Sequence, residues 1–198
     1  WVCFFHGLPG VGKTTLLSGL SEHYSKKPDT SIEISSSDLC RSLTIQDEIK
    51  ERGLLKEDLS ESQLYQVEVD VAKKTKARLV GDIKERLGKL GKNDSKVNIF
   101  ILDKNYSDKA LIDEVLKTAN QLFDAKRIKL VVFVPDIVAQ VKGSDYFPFS
   151  LDTVIISLAR SLNRGSHPTM NNGFRHSLMS HLNCLIRTCS DDFDAKYP

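Results

Sequence analysis

The amino-acid sequence predicts an α/β protein: a mainly parallel sheet of about four strands, with helices on both faces in three layers. Three observations carry that expectation. Short apolar runs near residues 2–6, 97–102 and 129–134 have the length and character of buried strands, and residues 31–35, with Ile32 and Ile34, form a short β-compatible segment. Longer segments with apolar residues at helical spacing separate them, and strands that alternate with helices pair in parallel through crossovers. The first run also leads straight into glycines, as a buried strand entering a turn does. At 198 residues and 22.2 kDa the chain suits one compact domain.

Taken in order, residues 2–6 form the first strand, and Thr14 to Tyr24 follows as a helix with Leu16, Leu17 and Leu20 at helical spacing. Ile32 and Ile34 mark a short second strand, and Asp38 to Gly53 reads as helix and turn. Ser60-x-x-Gln63 has the form of a capping box. It opens one long helix that turns Leu64, Val67, Val71, Leu79, Ile83, Leu87 and Leu90 inward and is broken by Gly88 and Gly91. Val97 to Leu102 is a strand ending at Asp103, and Ser107 caps a helix through Leu111, Val115 and Leu122. Ile128 to Val134 is the last strand, stopped by Pro135. Ser150 opens a helix toward Arg164, ended by Gly165, and a final helix spans Phe174 to Arg187.

Composition excludes several classes. Hydrophobic residues at 40% and charged residues at 27% exclude a collagen-like or broadly disordered chain. No apolar run reaches the roughly 18–20 residues a membrane helix needs, so no membrane partner is expected. A net charge of +2 points to no partner by itself. Cys3, Cys40, Cys184 and Cys189 form no C-x-x-C pair and no zinc-type cluster with histidine. Free thiols in a reducing, intracellular compartment are expected. Trp1-Val2-Cys3-Phe4-Phe5 follows no basic segment and no initiating Met, so the chain reads as a module cut from a longer protein, without a signal peptide.

The strongest motif is GLPGVGKTT at 7–15. Gly7, Gly12, Lys13 and Thr14 fit G-x-x-x-x-G-K-[ST], the phosphate-binding loop of nucleoside triphosphatases and kinases, in its expected place between strand and helix. Glycines let the backbone wrap so that N–H groups of Gly10, Val11, Gly12, Lys13, Thr14 and Thr15 face phosphate oxygens, and the helix N-terminus adds positive potential. Lys13 is placed to reach the β- and γ-phosphates, and the Thr14 hydroxyl to ligate Mg²⁺.

Three further features bear on what the phosphate is used for. Asp38 follows the second strand at its carboxyl end, where open α/β sheets bind ligands. A carboxylate there accepts the proton of an attacking hydroxyl; the competing reading is a helix cap. Arg41, one turn on, suits a substrate phosphate. Asp103, ending an apolar strand, resembles a Walker-B acid that orients the water shell of Mg²⁺; the competing reading is a strand-ending turn. Finally, Thr153 to Ser190 contains no Asp, Glu or Lys, while Arg160, Arg164, Arg175 and Arg187 and three of the five histidines (His167, His176 and His181) lie there. All 26 acidic residues fall elsewhere. Arg160 and Arg164 share a helix face, which suggests an arginine lid, at about 150–175, over a transferring phosphoryl group. A basic face contacting an acidic surface is the alternative.

GLPGVGKTT, Asp38-x-x-Arg41, Asp103-Lys104-Asn105, Phe149-Ser150-Leu151-Asp152 and Arg160-x-x-x-Arg164-x-x-His167-Pro168 stand in that order. The series resembles the kinase domain of plant- and fungal-type tRNA ligases, from about residue 2 to about residue 168. The Asp-x-x-Arg pair is also similar to that of bacteriophage polynucleotide kinase, where the Asp activates the 5′-hydroxyl. The resemblance implies a P-loop kinase fold with a helical arginine lid. It implies transfer of a γ-phosphate from ATP or GTP, with Mg²⁺, to RNA with a 5′-OH end such as tRNA exon halves. Fungal members tend to favour GTP. It further implies fused ligase and phosphodiesterase modules, catalytic Lys13, Asp38, Arg160 and Arg164, and substrate contacts from Arg41, Lys104, Asn105 and His167. One departure stands out: the family continues after His-Pro with Gly and soon an acidic residue, whereas Thr169-Met170-Asn171-Asn172 follow here.

Two other functions share part of this pattern. A small-molecule kinase of the adenylate or nucleoside class has the loop, the Asp and an arginine lid, but the Asp-Lys-Asn and His-Pro segments argue against it. A module that binds nucleotide only for structure or regulation needs neither Asp38 nor the lid arginines. Tyr65, Tyr106 and Phe147 are candidates for base stacking, each with an ordinary packing or loop role as the alternative.

Overall fold

Four strands, β1 (Val2–Phe5), β2 (Thr30–Ser36), β3 (Val97–Asp103) and β4 (Leu130–Phe133), form one sheet in the order β2-β3-β1-β4, and every pairing is parallel. The computed structural model describes residues 1–5, 9–10, 12–92, 97–104, 109–133, 151–162, 178–179 and 181–183. The helices among them are α1 (Lys13–Ser25), α2 (Ser37–Glu51), α3 (Glu61–Asp70), α4 (Ala72–Gly91), α5 (Lys109–Leu122) and α6 (Leu151–Leu162). Short 3₁₀ turns at Lys56–Asp58 and Ala125–Arg127 were not signalled by the apolar pattern.

The strand period of two sorts the core into two layers. Val2, Phe4, Phe100 and Leu102 point to one face, where Leu79, Ile83, Leu87 and Leu90 of α4 and Leu111, Ile112, Val115 and Ala119 of α5 cover them. Cys3, Phe5, Ile99 and Ile101 point to the other, against Leu17 of α1. Phe5 stacks there on Phe133 with ring centroids 4.7 Å apart. β1 is apolar at every position because both its faces are covered and β3 and β4 flank it, as expected of an interior strand.

The expected single long helix after Ser60 is two. Its capping box is present: Gln63 Oε1 accepts from the Ser60 N–H at 2.9 Å and the Ser60 hydroxyl accepts from the Gln63 N–H. At Val71 the backbone leaves helical geometry, with φ −90° and ψ 2°. Val71 packs there with Ile45, Ile49 and Val67 in a small separate core among α2, α3 and α4. The apolar spacing continues through the break because both helices bury their stripes, so tertiary packing redirects the chain where periodicity alone does not. Gly88 lies inside α4 and Gly91 is its last residue, so Gly88 does not break the helix; an interior glycine costs only about 1 kcal/mol.

Ser107, Ser150, Gly165 and the Cys184 and Cys189 positions lie outside the described residues, as does most of the expected final helix. Cys3 and Cys40 are free and buried. Burial pushes the Cys3 thiol up to about 11 and raises that of Cys40, to which the nearby Asp82 charge adds. No helix among the described residues is long and apolar enough to cross a membrane.

Candidate functional site

The chain leaving β1 runs through α1 to β2 on one side of the sheet, whereas β3 is followed by β4 on the other side of β1. Adjacent strands whose connections part in opposite directions leave a crevice at their carboxyl ends, the usual ligand position in an open parallel sheet. The glycine-rich turn follows β1, and Asp103 ends β3. Asp38 follows β2, which is on the far side of β3. Ser36 pairs in register with Asp103, and Phe4 with Leu102. The ends of β1 and β2 therefore stand two strand spacings apart, about 10 Å, with Asp103 between them.

On the β1 side, Gly10 and Gly12 hold positive φ angles of 84° and 96°, a conformation that costs other residues about 1–2 kcal/mol. Gly12 is the N-cap of α1 and offers no side-chain cap, and the first turn of α1 contains no acidic residue. Helix geometry leaves the first-turn N–H groups without intrahelical acceptors. Lys13 is the first residue of α1 and is buried, 8% exposed; Thr14 and Thr15 beside it are exposed.

On the β2 side, the alternative reading of Asp38 as the helix cap does not hold. The N-cap of α2 is Ser36, whose hydroxyl accepts from the Leu39 N–H. Asp38 lies within the first turn, half-buried, where an acidic residue suits the helix dipole. The same Ser36 hydroxyl donates to Asp103 Oδ2 at 3.2 Å. One small side chain thus ties the acid of β3 to the start of the helix that carries Asp38.

Arg41, one turn further along α2, pairs with Glu68 of α3 at 2.5 Å, with the Glu68 side chain only 9% exposed. Tyr65 is exposed on α3, 57%. Lys104 follows Asp103 and is half-buried. Val11, Asn105, Tyr106, Phe147, Arg164 and His167 lie outside the described residues.

Arg160 is exposed on α6, and that helix packs onto the glycine-rich turn. A Cβ on Gly10 would stand 2.5 Å from the Ser157 carbonyl oxygen and 2.9 Å from the Ser161 hydroxyl. His181 departs from the expectation that the basic region presents its cations to phosphate. It is buried, and its Nε2 lies 3.2 Å from the carbonyl oxygen of Pro9, to which it donates.

Ser36, Glu68 and Ser157 are therefore residues that motif reasoning did not single out, and His181, named only among the histidines of the acid-free region, was given no role at Pro9. Ser36 alone left a local signal, a hydroxyl two residues before the acid at a strand-to-helix junction.

Among the described residues no three His, Cys, Asp or Glu side chains cluster as a metal site. Mg²⁺ keeps most of its waters and needs only one or two protein oxygens beside phosphate. Thr14 in the first turn of α1 and Asp103 at the end of β3 are a hydroxyl and a carboxylate of that kind, so their chemistry suits the ion.

Fold and site together define a parallel α/β protein with a glycine-led helix N-terminus and two acids at one sheet edge. No protein-family model matches the chain, and no curated protein matches it significantly.

Proposed function

We propose that the chain is an NTP-dependent polynucleotide kinase that phosphorylates the 5′-hydroxyl end of RNA. One observation carries the reading. Two helix N-termini of opposite chemistry sit at the same sheet edge, one led by left-handed glycines and Lys13, the other bearing Asp38, with Asp103 between them. The first suits the triphosphate of ATP or GTP, and the second suits a hydroxyl that must lose its proton. The resemblance of the motif series to tRNA ligase kinase domains selects an RNA 5′-OH end, such as a tRNA exon half, as the acceptor. It also makes fused ligase and phosphodiesterase modules part of the proposal.

In this reading the N–H groups from Gly10 to Thr15 and the Lys13 ammonium hold the β- and γ-phosphates. Asp38 takes the proton as the acceptor oxygen bonds to the γ-phosphorus and the bond to the β-phosphate oxygen breaks. Thr14 and Asp103 hold Mg²⁺, which, when bound, neutralises charge on the phosphates. Arg41 meets a phosphate of the acceptor, with Glu68 fixing its fork, and Lys104, Asn105 and His167 complete the acceptor contacts. Arg160 and Arg164 stabilise charge on the transferring group. The packing of α6, which carries Arg160, against Gly10 supports a place for that helix beside the loop.

The test is transfer of labelled γ-phosphate from ATP and from GTP to 5′-OH RNA, 5′-OH DNA and free nucleosides. Labelled RNA ends are expected. Label confined to nucleosides would assign the site to a small-molecule kinase, and nucleotide binding without transfer would make it a regulatory module.

A further inference from the structure

His181 is a buried titratable residue that the proposed chemistry does not use. It is 1% exposed and bonds the main-chain carbonyl of Pro9, 172 positions away. We infer that His181 is a positioning residue for the glycine-rich turn, setting the plane of the Pro9–Gly10 peptide so that the Gly10 N–H faces the phosphate site. The inference rests on the nucleotide-binding reading of that turn.

A trans peptide is planar, and its C=O and N–H point in opposite directions. None of the described peptide bonds is cis. Holding the Pro9 carbonyl toward His181 therefore aims the Gly10 N–H away from it. Proline removes one of the two rotations that set this plane, because its ring fixes φ, and leaves ψ for the hydrogen bond to hold.

The next residue is confined as well. Gly10 has φ 84°, and the Ser157 carbonyl and Ser161 hydroxyl of α6 occupy the place where a side chain would stand. The turn is thus held from two points of the carboxyl-terminal region: α6 walls Gly10, and His181 orients the peptide before it. A loop of glycines has many backbone states. A phosphate cradle works best with its donors already aimed, and a buried hydrogen bond to one of its carbonyls supplies that order.

The experiment compares full-length His181→Gln, His181→Asn and His181→Leu with the wild type. Calorimetry with Mg²⁺ present gives Kd for the β,γ-imido analogues of ATP and GTP and for inorganic tripolyphosphate, and thermal melting monitors the fold. The Gln amide reaches the position of Nε2 and is expected to bind all three probes within about threefold of wild type. Leu fills the space without donating, and the shorter Asn amide stops short of the carbonyl. Both are expected to weaken every probe about tenfold, the order of losing one well-aimed hydrogen bond from the Gly10 N–H to a charged phosphate oxygen.

Equal affinity for Leu and wild type would overturn the inference. If Leu fails to fold, equal affinity of Asn and Gln would overturn it instead. Absence of saturable binding in the wild type would overturn the nucleotide reading itself, and with it this inference. A merely space-filling role predicts parallel losses in melting temperature for Asn and Gln, with no recovery of phosphate affinity specific to Gln.

Discussion

The N-termini of α1 and α2 lie at the same edge of one sheet, on either side of the end of β3, yet they are built in opposite ways. α1 begins behind two left-handed glycines, has no side-chain cap, and opens with a lysine. α2 begins behind a serine that caps it, and its first turn holds Asp38. An uncapped N-terminus with a cation leaves donors for an external anion. A capped one with a carboxylate has one of its donors met by its own serine and offers an acceptor besides. In the proposed function this difference becomes a division of labour, with phosphate on the β1 side and the proton on the β2 side; the structure links Asp103 to the second through Ser36.

The comparison breaks most sharply at Lys13. Lys13→Ala removes the cation from the first turn of α1, and phosphate transfer is expected to fall by about 10³-fold, measured as steady-state kcat/KM. Near-normal turnover would remove α1 from the account.

The two glycines separate conformation from crowding. Both hold positive φ, but a Cβ at Gly12 meets nothing within 4 Å, whereas one at Gly10 strikes the Ser157 carbonyl. Gly12→Ala should cost about 1–2 kcal/mol of stability, and Gly10→Ala visibly more, read as a larger drop in denaturation midpoint. Equal losses would mean that α6 does not wall the turn.

On the other side of the comparison, Ser36→Ala removes the cap of α2 and a hydrogen bond to Asp103 together. A loss of about 1 kcal/mol is expected, seen as a fall of about 2–4 °C in melting temperature for a domain of this size. No change in melting would show that Ser36 does not organise this corner.

An effect confined to alkaline pH concerns Cys3 in β1, whose thiol burial pushes up to about 11. The native thiol stays protonated where the unfolded one ionises, so its contribution is complete below about 9, the ordinary thiol value, and is lost as pH rises toward 11. Urea titrations from pH 8 to pH 11 should show a shallower alkaline decline for Cys3→Ala than for the wild type. Parallel declines would contradict a protonated buried thiol.

Much of the fold was legible because burial on both faces leaves a plain mark: β1 and the middle of β3 are apolar without interruption. The uncapped start of α1 was equally legible, since the glycines themselves impose it. The cap of α2 was not. Ser35, Ser36, Ser37 and Asp38 are all capping types, and which one serves depends on where β2 ends against Asp103, a matter of sheet register. The break at Val71 escaped because the same apolar spacing serves two helices in turn. Arg41 with Glu68, and Pro9 with His181, are pairs that only the tertiary fold brings together.

The division of labour is tested most directly by Asp38→Asn, with kcat on a 5′-OH RNA oligonucleotide and Kd for a non-hydrolysable Mg²⁺–nucleotide measured on the same preparation. The amide keeps the shape and cannot take the proton, so kcat should fall by about 10²–10⁴-fold while nucleotide Kd stays within about twofold of wild type. A loss of under about threefold in kcat, or a matching loss in nucleotide affinity, would contradict the assignment of the proton to α2 and the phosphate to α1.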